Sequence, residues 1–220
     1  MSAGVRTRAG SYAAVRRRTV RDRREHMADT VLTRQQIIET TEDVLRRYGP
    51  AKANVADVAR ALGVSPGSIY RHFPTKAALR EAVTQSWLDR THTGLEEIAA
   101  SDAPAPERLR RWLSALFESK KRHSREEPEL FDTFSALTAE HGDVATAHMD
   151  DLTRQIRTII LSGIERGEFS ADDADAAAAA VFHATAAFHN PLHVKEWGDP
   201  GVDAAFQTVT DLVIAGLSRR

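Results

Sequence analysis

The stretch from residue 54 to residue 76 constrains the fold of this 220-residue chain more than any other part of the sequence. Its first half carries apolar residues at helical spacing: Val55, Val58, Ala59 and Leu62. Gly63 follows them and ends the helix, because a residue without a Cβ adopts the left-handed conformation at least cost. Ser65 suits the N-cap of a second helix, Pro66 suits its first position, and Pro74 ends it. The pattern predicts a helix-turn-helix.

A helix-turn-helix pattern alone leaves two interpretations open. The second helix lies in the major groove of DNA, or the two helices form a hairpin that only packs against its neighbours. Charge favours the first interpretation. The chain has a net charge of −1, but residues 1–90 carry 17 Lys/Arg against 9 Asp/Glu, a net of +8, and residues 91–220 carry a net of −9. This asymmetry indicates an N-terminal part that binds a polyanion and an acidic remainder that does not.

Four segments of this stretch resemble the DNA-binding domain of the TetR/AcrR family of bacterial one-component regulators. They are VADVA at 55–59, GVS at 63–65, SIYRHF at 68–73 and KAAL at 76–79, within a match from about Thr33 to Ala82. The resemblance implies an all-α protein with a three-helix DNA-binding domain and a C-terminal helical domain for ligand binding and dimerisation. It also implies a regulator, most often a repressor, that binds a palindromic operator as a homodimer and is released by a small-molecule effector. The alternative is a protein-binding adaptor that keeps the fold without reading an operator.

We predict three parts of the chain. Residues 1–28 contain eight arginines and should form a disordered arm that follows phosphates or enters the minor groove. Alternatively, this segment is a solvated tail, or translation starts at Met27. Residues 29–80 form the helix-turn-helix domain and residues 81–220 the ligand-binding and dimerisation domain.

The remaining pattern is helical, with Gly and Pro between the helices. In the N-terminal part we expect helices at Thr33–Tyr48 and Thr75–Ile98, the second joining the two domains. The first should bury Ile37, Ile38, Val44, Leu45 and Tyr48. Further helices are expected at about 107–123, 128–140, 144–166, 171–190 and 202–217. The resemblance implies that the last two, 171–190 and 202–217, pair with those of a second subunit.

DNA contact requires hydrogen-bond donors for phosphates and a few side chains that reach base edges. The residues predicted to contact DNA are Thr33, Lys52, Asn54, Ser65, Pro66, Gly67, Ser68, Tyr70, Arg71, His72 and Lys76. The resemblance places Tyr70, His72 and Lys76 against the phosphate backbone, although Tyr70 also suits core packing. Arg71 is the best candidate for reading a guanine, and it also suits a phosphate contact. Asn54 additionally stands at an N-cap, with Asp57 completing an imperfect capping box.

A ligand site is expected in the C-terminal half, where aromatic residues and histidines are plentiful. The residues predicted to line it are Trp87, Trp112, Phe117, Phe131, Phe134, His183, Phe188 and His189. The competing interpretation for the aromatic residues is an ordinary core. His183, His189 and His193 suit a polar or anionic ligand, a Zn²⁺ ion or a structural role. The residues indicate no particular effector, and we predict no metal and no cofactor.

Other classes of protein fit poorly. The chain has no cysteine, which excludes disulfides, thiolate metal ligands and cysteine nucleophiles. No nucleophile elbow, P-loop or metal-ligand spacing is present, so we do not expect an enzyme. No apolar run approaches the ~18 residues needed to span a bilayer, and the Arg-rich N-terminus has no apolar core of a signal peptide. We therefore expect a cytoplasmic protein without a membrane partner.

Overall fold

The structure, a computed structural model, describes residues 32–140 and 142–218, so the predicted arm at 1–28 lies outside the described residues. The described residues form helices and no strand. The α-helices, in chain order, are α1 Arg34–Lys52, α2 Val55–Leu62, α3 Pro66–Tyr70, α4 Lys76–Thr91, α5 Leu95–Ala100, α6 Ala105–Glu126, α7 Pro128–Glu140, α8 Gly142–Glu165, α9 Ala174–Ala184 and α10 Val202–Leu217. Two 3₁₀ segments, Ala186–Phe188 and Pro191–Gly198, separate α9 from α10. The all-α prediction is confirmed.

The helix-turn-helix forms where the pattern placed it. Gly63 closes α2 with φ 68° and ψ 26°, and Ser65 caps α3 by accepting a hydrogen bond from the backbone N–H of Ser68. Ile37 and Ile69 are completely buried, and Phe73 is 1% exposed. These side chains come from α1, α3 and the turn after α3. With Val58 and Ala59 of α2 they belong to the hydrophobic core, so all three N-terminal helices contribute to it.

The regular part of α1 ends where the sequence predicts, but a further turn follows it. Gly49 has φ 71° inside the α1 range, so the regular helix stops at Tyr48, and one further turn containing Pro50 follows the kink. Tyr48 was expected to be buried with the apolar stripe, but its side chain is 45% exposed. Tyr48 stands at the last regular position, where the Arg47 guanidinium lies 5.5 Å from the centre of its ring.

The predicted helix Thr75–Ile98 is two helices. α4 ends at Thr91, and Gly94 adopts φ 88° before α5 begins at Leu95. The hydroxyls of Thr91 and Thr93 donate to the carbonyl oxygens of Leu88 and Arg90, both at 3.0 Å. These bonds stabilise the end of α4, and the glycine supplies the left-handed turn.

The C-terminal part packs α6 to α10 around an aromatic core. The rings of Phe117, Phe188 and Phe206 contact one another with centroid separations of 4.9–5.4 Å. α8 approaches its neighbours closely at Gly163, where an added Cβ would lie 2.4 Å from Phe169 and 2.7 Å from Ala105. The core therefore depends on a residue without a side chain at this crossing.

Some of the predicted helix bounds in the C-terminal part are confirmed and others are wrong. The helices at 128–140 and 202–217 are confirmed, whereas the helix expected at 171–190 spans only Ala174–Ala184. Asp173 caps its start with two backbone N–H bonds. After Thr185 the chain turns into the two 3₁₀ segments, the second of which starts at Pro191, a residue without the N–H needed to continue an α-helix.

The N-terminal helices also contact the C-terminal part through α1, which packs against α7. The Arg90 guanidinium on α4 forms two hydrogen bonds to the Glu42 carboxylate on α1, both at 2.8 Å. Arg46 on α1 lies 3.1 Å from Glu127 at the start of α7. α4 therefore joins the two parts, as the sequence suggested, and α1 connects them as well.

Candidate nucleic-acid interface and cavity

The leading turn of α3 is exposed and preorganised. Ser65 Oγ lies 3.0 Å from Ser68 Oγ, which in turn accepts a hydrogen bond from Arg71 Nη2 at 3.1 Å. Ser65, Pro66, Gly67 and Arg71 are exposed, and Ser68 is half-buried. A Cβ at Gly67 would contact only Ser65 Oγ, at 3.7 Å, so the surface above Gly67 is open. This turn presents hydroxyls and a guanidinium to solvent, which are the groups that contact base edges and phosphates.

A second group of donors surrounds the end of α3. Tyr70 is 44% exposed, which argues against the core-packing interpretation of its ring. His72 is half-buried and Lys76 is exposed in the first turn of α4. Thr75 caps α4 by accepting from the N–H of Ala78 at 3.0 Å, so Lys76 stands at a helix N-terminus, where anions are stabilised.

Arg34 is a further cation at this surface, and the sequence reasoning missed it. Its guanidinium lies 4.1 Å from the centre of the Phe73 ring and donates a hydrogen bond to the carbonyl oxygen of His72. These contacts fix the first residue of α1 against the end of α3. No sequence spacing reveals them, since the partners are 38 positions apart.

Two predicted contact residues act as helix caps. Thr33 and Gln36 form a reciprocal capping box with bonds of 3.1 and 3.0 Å at the start of α1. Asn54 Oδ1 accepts from the N–H of Asp57 at 3.0 Å, but Asp57 pairs with Arg60 instead of closing the box. Thr33, Asn54 and Lys52 are all exposed, so capping leaves their outer surfaces accessible.

The C-terminal part contains a cavity of about 560 Å³ between α4, α6, α7, α8 and the end of α9. Its lining is mostly apolar, with a few polar groups. The lining residues are Trp87, Leu88, Lys120, Ser135, Thr138, Ala139, Ala145, His148, Met149, Leu152, Phe182, His183, Ala186, His189, Asn190, Pro191 and Leu192. A volume of this size accommodates a drug-sized molecule.

The cavity includes three of the eight predicted ligand residues, Trp87, His183 and His189. The other five are buried in the core and do not line it: Trp112, Phe117, Phe131, Phe134 and Phe188. Phe134 lies behind the cavity wall, because its ring stacks on Trp87 at a centroid distance of 4.8 Å.

Lys120 and His148 line the cavity but were missing from the prediction. Lys120 is 7% exposed, and burial lowers its pKa to about 8. A signal for it existed in the sequence, because Lys120 follows Leu116 and Phe117 by four and three positions on the apolar face of α6. The pKa of His148 is lowered to about 4 by burial first and by the charge of Lys120 second.

His189 is also neutral near pH 7. Burial lowers its pKa to about 4, and its Nε2 donates to the carbonyl oxygen of Phe182 at 3.0 Å. His193 does not line the cavity and instead pairs with Glu196 at 3.2 Å. Across 32–140 and 142–218, no three metal-ligating side chains are grouped as an ion would require.

A second cavity of about 490 Å³ lies between α4, α5 and α8, and His148 lines both. The His148 ring lies 4.6 Å from the ring of His92, which follows the last residue of α4. Burial lowers the pKa of His92 as well, and its Nδ1 donates to the carbonyl oxygen of Leu88 at 2.8 Å. The end of α4 thus borders both cavities.

None of the described helices combines the length and the apolar character needed to cross a bilayer.

Known regulators resemble this chain in sequence and in structure. The regulator TtgR from Pseudomonas putida is 41% identical over 70 residues, which are 32% of this chain and 33% of TtgR. The chain therefore matches about a third of the length of this curated relative. SmeT, the repressor of the Stenotrophomonas maltophilia multidrug efflux pump SmeDEF, superposes with a TM-score of 0.64 at 15% identity, covering 86% of this chain and 91% of SmeT.

A solved complex of BioQ with its double-stranded DNA operator superposes with a TM-score of 0.53 at 21% identity, covering 84% of this chain and 99% of BioQ. At these identities the structural similarity establishes the fold alone. Two family models match most of the chain. The model of bacterial regulatory proteins of the tetR family matches residues 37–83, and the tetracyclin repressor-like C-terminal domain matches residues 105–210. The chain therefore belongs to the TetR family of bacterial regulatory proteins.

Proposed function

We propose that this protein is a ligand-responsive transcriptional repressor that binds a palindromic operator as a homodimer and is released by a small-molecule effector. One observation carries the proposal. α4 begins at Lys76, beside the exposed turn of α3, and its last turns place Trp87 and Leu88 in the wall of the 560 Å³ cavity. A single helix therefore contacts both the candidate DNA surface and the candidate effector site.

In this proposal α3 lies in the major groove. Arg71 reads a guanine, and the turn at 65–68 approaches the bases beside it. Tyr70, His72 and Lys76 bind phosphates. Thr33, Lys52 and Asn54 add donors at the edge of the same surface, where the N-caps of α1 and α2 and the end of α1 adjoin the DNA backbone.

The dimer interface is proposed at 171–190 and 202–217. Small or apolar side chains at helical spacing are exposed on both helices of the described chain. They are Ala176, Ala180 and Ala184 on α9, and Ala205, Leu212 and Ala215 on α10. Leu212 is 73% exposed, and a Cβ at Gly216 would meet nothing within 4 Å. Surfaces of this composition allow helix backbones of two subunits to approach closely.

Release from the operator requires the effector to favour one arrangement of the two DNA-binding domains. Only a difference in affinity between the two arrangements shifts their populations. An occupant of the cavity touches Trp87 and Leu88 directly, and it reaches the end of α4 through His148 and His92. We infer that the effector moves α4 and, through the Glu42–Arg90 pair, α1. The domain boundary near residue 80 and a cytoplasmic location are parts of the same proposal.

Selection of bound duplexes from a random pool, at moderate salt with the full-length protein, tests this function. A palindrome is expected, with a half-site spacing set by the two-fold axis of the dimer. Lys76→Ala and Arg71→Ala serve as matched variants on the proposed surface. If the wild type and both variants show only non-specific binding with the same steep salt dependence, the protein does not recognise a specific operator. That result would indicate an adaptor role.

A further inference from the structure

The cavity contains a buried cation that has no partner. Lys120 is 7% exposed, it lines the cavity, and it has no hydrogen bond or ion pair with any residue in the described part of the chain. Its neighbour Lys121 is equally buried, but it lies 2.5 Å from Asp203 and 4.9 Å from the centre of the Phe117 ring. Burying an ammonium without a counter-charge costs stability, so Lys120 is the exception that needs an explanation.

Two further polar groups of the cavity wall are unpartnered. Ser135 Oγ and His148 Nε2 are buried and have no hydrogen-bond partner among the described residues. Both residues line the cavity together with Lys120. Buried polar groups in native proteins are almost always hydrogen-bonded, so two such groups in the wall that also contains the Lys120 ammonium indicate a ligand that supplies the missing acceptor.

Charge around the cluster favours an anion. Burial in the first place, and the positive charge of Lys120 in addition, lower the pKa of His92, His148 and His189. These rings therefore stay neutral, and the Lys120 ammonium carries the charge of the cluster. Asp151 favours the protonated form of His148, but it lines the neighbouring cavity and accepts a hydrogen bond from Gln155 at 2.9 Å. No described carboxylate contacts Lys120.

We propose that the effector is an amphipathic monocarboxylate whose carboxylate pairs with Lys120 and accepts hydrogen bonds from Ser135 and His148, while its apolar body packs against Trp87, Met149 and Phe182. A single ammonium balances one negative charge, which distinguishes a carboxylate from a phosphate dianion. A neutral ligand would leave the ammonium uncompensated. This inference rests on the proposed function, because it names the effector class of that site.

Calorimetric titration of the full-length protein with two matched pairs of probes tests the assignment. The pairs are octanoate with octan-1-ol and 4-phenylbutanoate with 4-phenylbutan-1-ol, and octylamine is the cationic probe. We expect each carboxylate to bind at least about tenfold more tightly than its alcohol. Octylamine should bind more weakly than either. Equal affinities within each pair, tighter binding of the amine, or no binding of any carboxylate would overturn the proposal.

Lys120→Met should remove the preference for the carboxylate while leaving the affinity for the alcohol within about threefold. Methionine has a similar length and needs no counter-charge, so this variant should fold. Lys121→Met is the matched control, since Lys121 does not line the cavity, and it should keep the preference. A preference that survives in Lys120→Met, or is lost equally in both variants, contradicts the role of Lys120.

Release of the selected operator duplex by 4-phenylbutanoate separates this inference from the proposed function. If the protein binds the palindrome but carboxylates bind no better than alcohols, the effector class is wrong and the regulator stands. If carboxylates bind through Lys120 but no specific duplex is recovered, the site stands and the regulator is wrong.

Discussion

Glu42 and Arg90 form a bidentate ion pair that joins α1 to the last turn of α4, with both N–O distances at 2.8 Å. The Glu42 side chain is only 9% exposed, and the pair raises the pKa of Arg90. Arg90→Ala would leave a buried carboxylate without its partner. We expect a loss of about 1–3 kcal/mol in the free energy of unfolding, measured by urea denaturation.

Arg46→Ala is the control for this prediction. Arg46 also joins the N-terminal helices to the C-terminal part, but its pair with Glu127 is about 40% exposed on both sides. Solvent screening should keep its loss below about 1 kcal/mol. If both variants lose the same free energy of unfolding, the burial of Glu42 does not make its ion pair with Arg90 more stabilising than the exposed pair.

Arg71→Ala should relax sequence preference at one base position of the operator. A bidentate contact between guanidinium and guanine is worth about 1–3 kcal/mol, and its loss leaves the other positions unchanged. Competition binding with single-base operator variants measures this. Lys76→Ala is the comparison, and it should weaken binding to every variant alike and reduce the salt slope by about one. Uniform weakening by Arg71→Ala would make Arg71 a phosphate contact.

Leu212→Glu should dissociate the homodimer. Leu212 is 73% exposed on α10, and a carboxylate there would be desolvated twice across a two-fold interface. We expect at least about a hundredfold weaker dimerisation by sedimentation equilibrium, with a parallel loss of operator binding. Leu192→Glu introduces the same charge at a leucine that is 86% exposed outside α9 and α10, and it should remain dimeric. A dimeric Leu212→Glu protein would place the interface elsewhere.

Lys120→Met should increase stability below pH 8. The pKa of Lys120 is about 8 in the folded protein and about 10.5 when unfolded, so the unfolded state holds the extra proton between these values. The free energy of unfolding of the wild type, relative to Lys120→Met, should therefore rise by about 2–3 kcal/mol from pH 8 to pH 10.5. His92, His148 and His189 titrate below this window, so they do not obscure it. Urea denaturation measures the difference in free energy of unfolding between the wild type and Lys120→Met. A difference that stays constant from pH 8 to pH 10.5 would contradict a buried charge on Lys120.

Trp87→Phe should weaken the coupling between effector binding and operator binding more than it weakens either of the two binding events. Phenylalanine keeps the stacking on Phe134 but leaves part of the cavity wall empty. Two quantities are compared: the 4-phenylbutanoate concentration that releases half of the operator, and the dissociation constant of 4-phenylbutanoate for the protein. The ratio of the first to the second should rise at least about threefold. Trp197→Phe, in the core away from the cavity, should leave this ratio unchanged. An unchanged ratio in Trp87→Phe would mean that α4 does not transmit the signal.

The parts of the fold that could be predicted are those with local chemical signals. Gly63, Ser65 and Pro66 specify the turn of the helix-turn-helix within a few residues, so its position followed directly. The break at Gly94 was missed, because a glycine within an apolar helical pattern does not by itself distinguish a tolerated residue from a left-handed turn. The end of α9 at Ala184 was missed for a related reason, since an alanine-rich segment continues as a helix unless tertiary packing stops it.

The candidate site, too, could be predicted only where its residues are close together in the sequence. Residues on the exposed turn of α3 were predictable, because the motif is contiguous. The cavity was only partly predictable, since its wall combines five helices and depends on which aromatic residues face inward. Phe117 and Phe134 belong to the core, whereas Lys120, a residue type usually found at the surface, lines the cavity.

The positions of the three tryptophans make this protein its own optical reporter. The indoles of Trp112 and Trp197 are sealed in the core and hydrogen-bonded, to Gln155 at 2.9 Å and to the carbonyl of Ala187 at 2.8 Å. Only the Trp87 indole borders the cavity. A molecule that occupies this cavity therefore contacts an indole directly, so a change in intrinsic fluorescence is expected on binding, and libraries of unlabelled compounds can be screened on the unmodified chain.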